Sequence, residues 1–231
     1  MIDFYFFHIG DEIDLPKMLV NSILKTNKNS RVFQLTDKIT KKIDNTYDCY
    51  RFNGDKNSIM KFRMEAYSKT FLNNGRFSIF LDTDMLVLKE INLNKLFGKS
   101  DLILCKRELN ANLLVNIDFN NMNMKEYEGK TMIEAWPYLG CFIGVKDSKT
   151  LIEMNQMYDN LENKYKLWYG DQIILKKYAL ENPRKTSFIG ENEYACVPVN
   201  NKISKQANII HFKGKKLKPY MKTCYQYFFE K

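Results

Sequence analysis

No apolar run in this chain of 231 residues approaches the roughly 18–20 residues that a membrane span needs. The five cysteines, Cys49, Cys105, Cys141, Cys196 and Cys224, are odd in number and include no C-x-x-C pair. That argues against a disulfide framework or a zinc site, and for reduced thiols in a cytoplasm. The opening residues Met1-Ile2-Asp3-Phe4-Tyr5-Phe6-Phe7 lack a basic stretch and a small-residue cleavage site, so they read as a first strand and not as a signal peptide. No internal repeat, low-complexity block or linker divides the chain, and its length suits one sizeable α/β domain, residues 1–231. A hydrophobic content of 45% with 14% aromatics excludes wholesale disorder.

Acidic residues are missing from one tract. Between Lys202 and Lys222 there are seven lysines and no Asp or Glu, whereas elsewhere basic and acidic residues are mixed; the net charge is +9. Such a tract can hold phosphates, whether of a nucleotide, a lipid headgroup or a polynucleotide. As a whole it reads as a solvated lysine-rich surface, able to touch an anionic membrane peripherally.

What the chain does have is Phe77-Ser78-Ile79-Phe80-Leu81-Asp82-Thr83-Asp84-Met85-Leu86-Val87-Leu88. Two carboxylates one residue apart interrupt an otherwise apolar strand pattern. Burying an unpaired carboxylate is costly unless a cation offsets it. In a strand, residues i and i+2 share a face, so Asp82 and Asp84 are expected to converge on one hard cation. With 14 Asp in the chain, a bare D-x-D arises about once by chance; the apolar context carries the signal. The plainer alternative is a strand end whose aspartates cap a turn.

Around this motif the chain alternates strand and helix. Asp3–Ile9 reads as a strand ending in His8-Ile9-Gly10-Asp11, Leu15–Lys25 as a helix with Pro16 in its first turn, and Arg31–Leu35 as a strand closed by Thr36-Asp37. This order implies a parallel pair joined by a right-handed crossover. Asp55–Leu72 is a second helix bearing Arg63, Asn73-Asn74-Gly75 a turn, and Leu102–Cys105 a strand. Asn110–Lys130 lacks periodicity, as binding-site loops often do. The stretch Trp136–Val145 reads as a strand carrying Gly140 and Gly144, which suggests close approach of something to the backbone. Ser148–Lys164 and Asp171–Ala179 read as helices, Tyr194–Val199 and Asn208–Phe212 as strands, and the rest as a basic tail. The fold class is therefore α/β, with a mainly parallel open sheet and helices on both faces. Ligands of such sheets sit at the carboxyl ends of strands, where Gly10-Asp11, Thr36-Asp37 and Asp82-Thr83-Asp84 all fall.

Three further pieces join the D-x-D. His211, one of only two histidines, follows the apolar Asn208-Ile209-Ile210 and precedes Gly214 and Lys218-Pro219-Tyr220. Gly170-Asp171-Gln172, after Trp168-Tyr169, opens a helix, and Arg63 lies on the helix before the D-x-D. Each residue taken alone has an ordinary reading: a strand-end histidine, a helix-surface charge, an N-cap. Together, and in this order over nearly the whole chain, they resemble the GT-A glycosyltransferases. The likeness is nearest to the retaining enzymes of the glycogenin and lipopolysaccharide galactosyltransferase type (family 8-like). Gly214 and Lys218 are one residue further apart than that family's pattern, Tyr220 stands in place of Trp, and Asn110–Pro137 matches nothing specific.

The resemblance implies a GT-A, Rossmann-like nucleotide-diphospho-sugar transferase. Residues 1–105 would bind the nucleotide sugar, 106–200 would form the acceptor side, and the tail 201–231 would close over the diphosphate. It implies Mn²⁺ (or Mg²⁺) on Asp82, Asp84 and His211, and a nucleotide diphosphate sugar, UDP-sugar favoured, as donor. The donor would be held by His8, Gly10, Asp11, Thr36, Asp37, Arg63, Asp82, Thr83, Gly214 and Lys218, with Asp171 and Gln172 catalytic. A hexose would move, with retention, to a glycan, a lipid-linked sugar or a protein. The residue types fit, because a departing diphosphate needs a cation and fixed positive groups. Trp136 and Tyr138, with Asp171 and Gln172 opposite, are expected to line the acceptor side as sugar-stacking aromatics. A second class of reading is a nucleic-acid-directed protein, either a polyanion-binding module or a transferase glycosylating modified DNA. Against it, the lysines cluster where a diphosphate cradle already accounts for several of them. A third is a nucleotide-sugar binder without turnover.

Overall fold

The computed structural model describes residues 2–70, 72, 76–92, 96–116, 125–166 and 169–230. The expected turn Asn73–Gly75, Phe71, Trp168 and part of the Asn110–Lys130 stretch lie outside them.

Nine strands are present among the described residues: β1 (Ile2–Phe7), β2 (Ser30–Thr36), β3 (Asp48–Arg51), β4 (Phe77–Leu81), β5 (Met85–Val87), β6 (Leu102–Lys106), β7 (Tyr138–Val145), β8 (Thr186–Gly190) and β9 (Ile209–His211). Seven form one sheet in the order β3-β2-β1-β4-β7-β6-β8, and β5 pairs with β9 in a small antiparallel ribbon. Within the large sheet only β7 runs against its neighbours. Five longer helices surround it: α1 (Asp14–Thr26), α2 (Ile59–Ser68), α3 (Ser148–Asp159), α4 (Gly170–Glu181) and α5 (Lys218–Phe229). None is long and apolar enough to cross a membrane.

The alternation of side chains along the strands explains the two-sided core. Phe4, Phe6, Ile79, Leu81 and Ile103 point to the face covered by α1, where they meet Leu19, Val20 and Ile23. Their neighbours Tyr5, Phe33, Phe80, Leu102 and Leu104 point the other way, onto Met64 and Tyr67 of α2, Leu151 and Met154 of α3, and Ile174 and Leu175 of α4. Four adjacent strands carry an aromatic ladder. Tyr5 stacks on Phe33 and on Phe80 at 4.9 Å each, Phe33 stacks on Tyr50 at 5.7 Å, and Tyr67 closes the row on Phe80 at 4.5 Å. Cross-strand pairs of this kind fix the register of β3-β2-β1-β4.

β1 is flanked by β2 on one side and β4 on the other, and the chain visits β2 and β3 before returning to β4. That reversal opens a crevice at the carboxyl ends of β1 and β4. β7, being antiparallel, contributes its beginning to the same edge.

Several expectations need correction. The apolar run Phe77–Leu88 is two strands, because β4 stops at Leu81, the chain turns through Asp82–Asp84, and β5 joins the ribbon. β3 and β8 had too little apolar patterning to be seen. Tyr194 closes a one-turn helix, Glu191–Tyr194, instead of opening a strand. The helix reading of Ser148–Lys164 stops at Asp159, followed by a 3-10 turn at Asn163–Tyr165. The lysine-rich tail is a folded element: Met221, Cys224 and Tyr225 of α5 bury against Met18 of α1, Leu86 of β5 and Ile210 of β9. Its lysines from Lys202 to Lys222, other than Lys218, are exposed, which hid the apolar face in the composition.

Phe80 is 1% exposed and held between Tyr5 and Tyr67. Phe80→Ala is expected to cost about 3–5 kcal/mol in urea unfolding; a loss below about 1 kcal/mol would show that the ladder does not carry the core.

Candidate metal centre

The site is built where the large sheet hands the chain to the ribbon. At the end of β4, the Asp82 N–H donates to the Cys141 carbonyl of β7 at 3.1 Å, and beyond the turn the Phe212 N–H donates to the Asp84 carbonyl at 2.8 Å. Met85 pairs with His211 in the ribbon register. Asp82 and Asp84 thus converge through a turn, and not by sharing a strand face as the spacing suggested. Asp82, Asp84 and His211 each offer a ligand atom, all within 4.8 Å of one another.

Two sets of charges hold these groups. Arg63 of α2 donates from Nη1 to Asp82 Oδ1 at 2.9 Å and from Nη2 to Asp171 Oδ2. The Arg63 side chain is 10% exposed, that of Asp171 3% and that of Asp82 30%, so a buried guanidinium forks between one buried and one half-buried carboxylate. Asp84 turns one oxygen to His211 Nε2 and the other to Lys218 Nζ, each at 3.4 Å.

The two aspartates are driven apart electrostatically. Burial raises the Asp82 carboxyl above the ordinary range; Arg63 opposes this, while the charge of Asp84 adds to it. Burial also acts to raise Asp84, but His211 and Lys218 outweigh it and hold that carboxyl low. Burial pulls the His211 imidazole down, yet the Cys141 thiol and Asp84 beside it prevail and hold it well above the usual histidine value. Like charges this close resist joint ionisation unless a cation lies between them.

The donor set fits a divalent ion. Two carboxylates and an imidazole make an oxygen-rich site suited to Mn²⁺ and less strictly to Mg²⁺. Ligand atoms at most 4.8 Å apart nearly match the diameter of a coordination shell with bonds of about 2.0–2.6 Å. On binding, the ion would take over the neutralising role that Lys218 and His211 fill toward Asp84.

Gly140 shows why the fork needs a bare backbone. A Cβ there would lie 2.1 Å from Asp171 Oδ2 and 3.0 Å from Arg63 Nη2. The close approach expected at the glycines of β7 is made by Asp171 at Gly140 and by Phe97 and Ile103 at Gly144. Asp171 sits inside the first turn of α4 and is not its N-cap.

The other expected residues divide. His8 is buried at the end of β1, its Nε2 has no partner among the described residues, and burial lowers its imidazole below the usual value. Thr36 Oγ1 donates to the His8 carbonyl at 2.6 Å, joining the ends of β1 and β2. The Asp37 carboxylate is spent on its own loop. It accepts from Thr40 N at 2.7 Å and Ile39 N at 3.2 Å, and pairs with Lys56 Nζ at 2.5 Å. Gly10, at φ +110°, donates to Thr40 Oγ1 at 3.0 Å, while Asp11 is exposed. Thr83 lies half-buried in the turn between the two aspartates. Gly214, at φ +81° with open space around it, bends the chain between His211 and Lys218. Gln172 Oε1 accepts from Arg107 Nη2 at 2.7 Å.

The expected acceptor aromatics are corrected in part. Trp136 is 1% exposed and stacks on Tyr169 at 3.9 Å, so it is a buried wall and offers no open face. Tyr138 stacks on Phe188 of β8. Sequence reasoning missed Arg107, Glu191, Lys56 and Cys141. Arg107 was detectable: like Asp82 it directly follows a buried strand, where a charge needs a reason.

No protein-family model matches the chain, and none of the curated proteins is detectably similar to it.

Mn²⁺ is expected to raise the melting temperature of the wild-type protein, and to do so no longer in Asp84→Ala or His211→Ala; an unchanged Mn²⁺ response in both variants would remove the site. Gly140→Ala is expected to lower the melting temperature and weaken Mn²⁺ binding together. Normal values of both would mean that Asp171 swings aside without loss.

Proposed function

We propose that this chain is a GT-A glycosyltransferase that moves a hexose from a nucleotide diphosphate sugar, UDP-sugar favoured, to an acceptor hydroxyl, using Mn²⁺ or Mg²⁺ and retaining anomeric configuration. One observation carries the reading. Asp82, Asp84, His211 and Lys218, from segments far apart in the chain, meet at the carboxyl edge of a largely parallel sheet, beside its switch point.

In the reaction the acceptor oxygen bonds to the anomeric carbon and the bond from that carbon to the β-phosphate oxygen breaks. The nucleoside diphosphate leaves with the electron pair, and the hydroxyl proton passes to it. A divalent cation held by Asp82, Asp84 and His211 would offset the charge growing on the diphosphate. Lys218 adds a second positive group, and the open backbone at Gly214 lets a phosphate approach closely. Asp171 is paired with Arg63 and buried, which argues against a role as covalent nucleophile. Its part is to hold Arg63, and through it Asp82. Gln172 is oriented through its oxygen by Arg107, leaving the amide nitrogen to touch a sugar hydroxyl. The cytoplasm is the compartment we propose, on the five thiols, none of which is in a disulfide.

A panel of nucleotide sugars tested for thermal shift and for hydrolysis, with and without Mn²⁺, tests this reading. One UDP-sugar should stabilise the protein only with metal, and EDTA should abolish its hydrolysis. Lys218→Ala should lower kcat by roughly 10²-fold or more with a smaller change in KM, as for loss of a transition-state contact. Turnover undiminished in EDTA would overturn it.

A further inference from the structure

A cavity lies on the same edge of the sheet as the metal centre. It measures about 210 Å³, and its walls include Arg107, Leu113, Leu114, Trp136, Tyr169 and Glu191. Arg107 follows the end of β6, Glu191 the end of β8, Trp136 precedes the start of β7, and Tyr169 precedes α4. Topology therefore puts the cavity along the row that also holds Asp82.

Two links tie it to the metal centre. Lys213, two residues after His211, lines the cavity. Arg107, a cavity wall, holds Gln172, whose neighbour Asp171 holds Arg63 and so Asp82.

The walls are amphipathic in a specific way. Arg107 is 3% exposed and anchored by Nε to the Trp136 carbonyl at 2.8 Å and by Nη2 to Gln172 Oε1 at 2.7 Å. Glu191 is 2% exposed and fixed by the N–H groups of Glu108 and Leu109, each at 2.7 Å. Two buried, rigid, oppositely charged side chains make a polar end able to hold hydroxyl groups. The indole N–H of Trp136 is a third polar group, buried and without a partner among the described residues; buried Trp N–H groups normally find one. The same walls include the adjacent Leu113 and Leu114, which are 57% and 66% exposed. The volume is below the roughly 300–1,000 Å³ of drug-sized pockets, so the cavity suits one ring and not an extended oligosaccharide.

We infer, on the transferase reading, that this cavity binds the acceptor, and that the acceptor is a single hexose ring carrying an apolar aglycone. The ring lies against Arg107 and Glu191, and the aglycone leaves over Leu113 and Leu114. A hydroxyl of that ring supplies the oxygen that bonds to the donor's anomeric carbon as the nucleoside diphosphate departs with the hydroxyl proton. A free glycan leaves the two leucines without a partner, and a protein acceptor needs a wider opening.

The test uses the donor selected by thermal shift, with Mn²⁺, and compares octyl β-glucoside and octyl β-galactoside with the free sugars and with a glycosylated peptide. An octyl glycoside should exceed its free sugar in kcat/KM by roughly tenfold or more, the effect of burying about two methylenes. Leu114→Asp, at a well-exposed position that does not endanger the fold, should raise KM for the octyl glycoside and erase that advantage. Donor hydrolysis without acceptor is measured alongside. Metal-dependent hydrolysis with equal use of free and octyl sugars, or with preference for the peptide, overturns the acceptor assignment and leaves the transferase reading standing. Failure of every nucleotide sugar to bind or hydrolyse overturns both.

Discussion

The buried guanidinium of Arg63, forked between Asp82 and Asp171, is the interaction on which the candidate site depends. It joins α2, the end of β4 and the start of α4 at a point where a Cβ on β7 would meet Asp171 at 2.1 Å. Burial acts against the charge of Arg63, but the two carboxylates more than restore it. A pair removed from water in this way contributes little net stability, while loss of one partner leaves an uncompensated charge that costs about 3–5 kcal/mol. The fork is best understood as a device for geometry. It fixes where Asp82 stands, whereas Asp84 is held by the separate pair His211 and Lys218.

That division has a chemical use. Asp82 is tied to the large sheet, Asp84 to the ribbon and α5, and a cation between them would cross-link the two. The neighbouring cavity is anchored to the first group through Arg107 and Gln172, and to the second through Lys213. Each half of the site therefore has a rigid hold on one structural unit, as precise positioning requires.

Much of the architecture of the first half of the chain was legible in the sequence, because it rests on local patterns. β1, α1 and β2 have clean periodicity, and His8, Gly10, Thr36 and Asp37 stand at or just beyond strand ends as the pattern predicts. The D-x-D stands out because charges interrupt apolar residues, but its geometry does not, since a turn and a continued strand look alike when both flanks are apolar. The distal half was less legible. β8 carries exposed Phe188 beside buried Ile189 and Thr186, so its pattern is weak, and α5 hides its apolar stripe among lysines. Trp136 illustrates a different limit. Its burial follows from stacking on Tyr169 and Tyr127, which only the folded chain brings together. The Arg107–Gln172 and Glu191 contacts are long-range for the same reason.

The ribbon has a consequence for how the protein is made. β5 follows the D-x-D closely, but its partner β9 is encoded far downstream. At about 5–20 residues per second, many seconds of translation separate the two. During that interval Met85-Leu86-Val87 is an unpaired apolar edge, the kind of segment that invites pairing with other nascent chains. Whatever lengthens the interval before β9 is made lengthens the exposure of that edge.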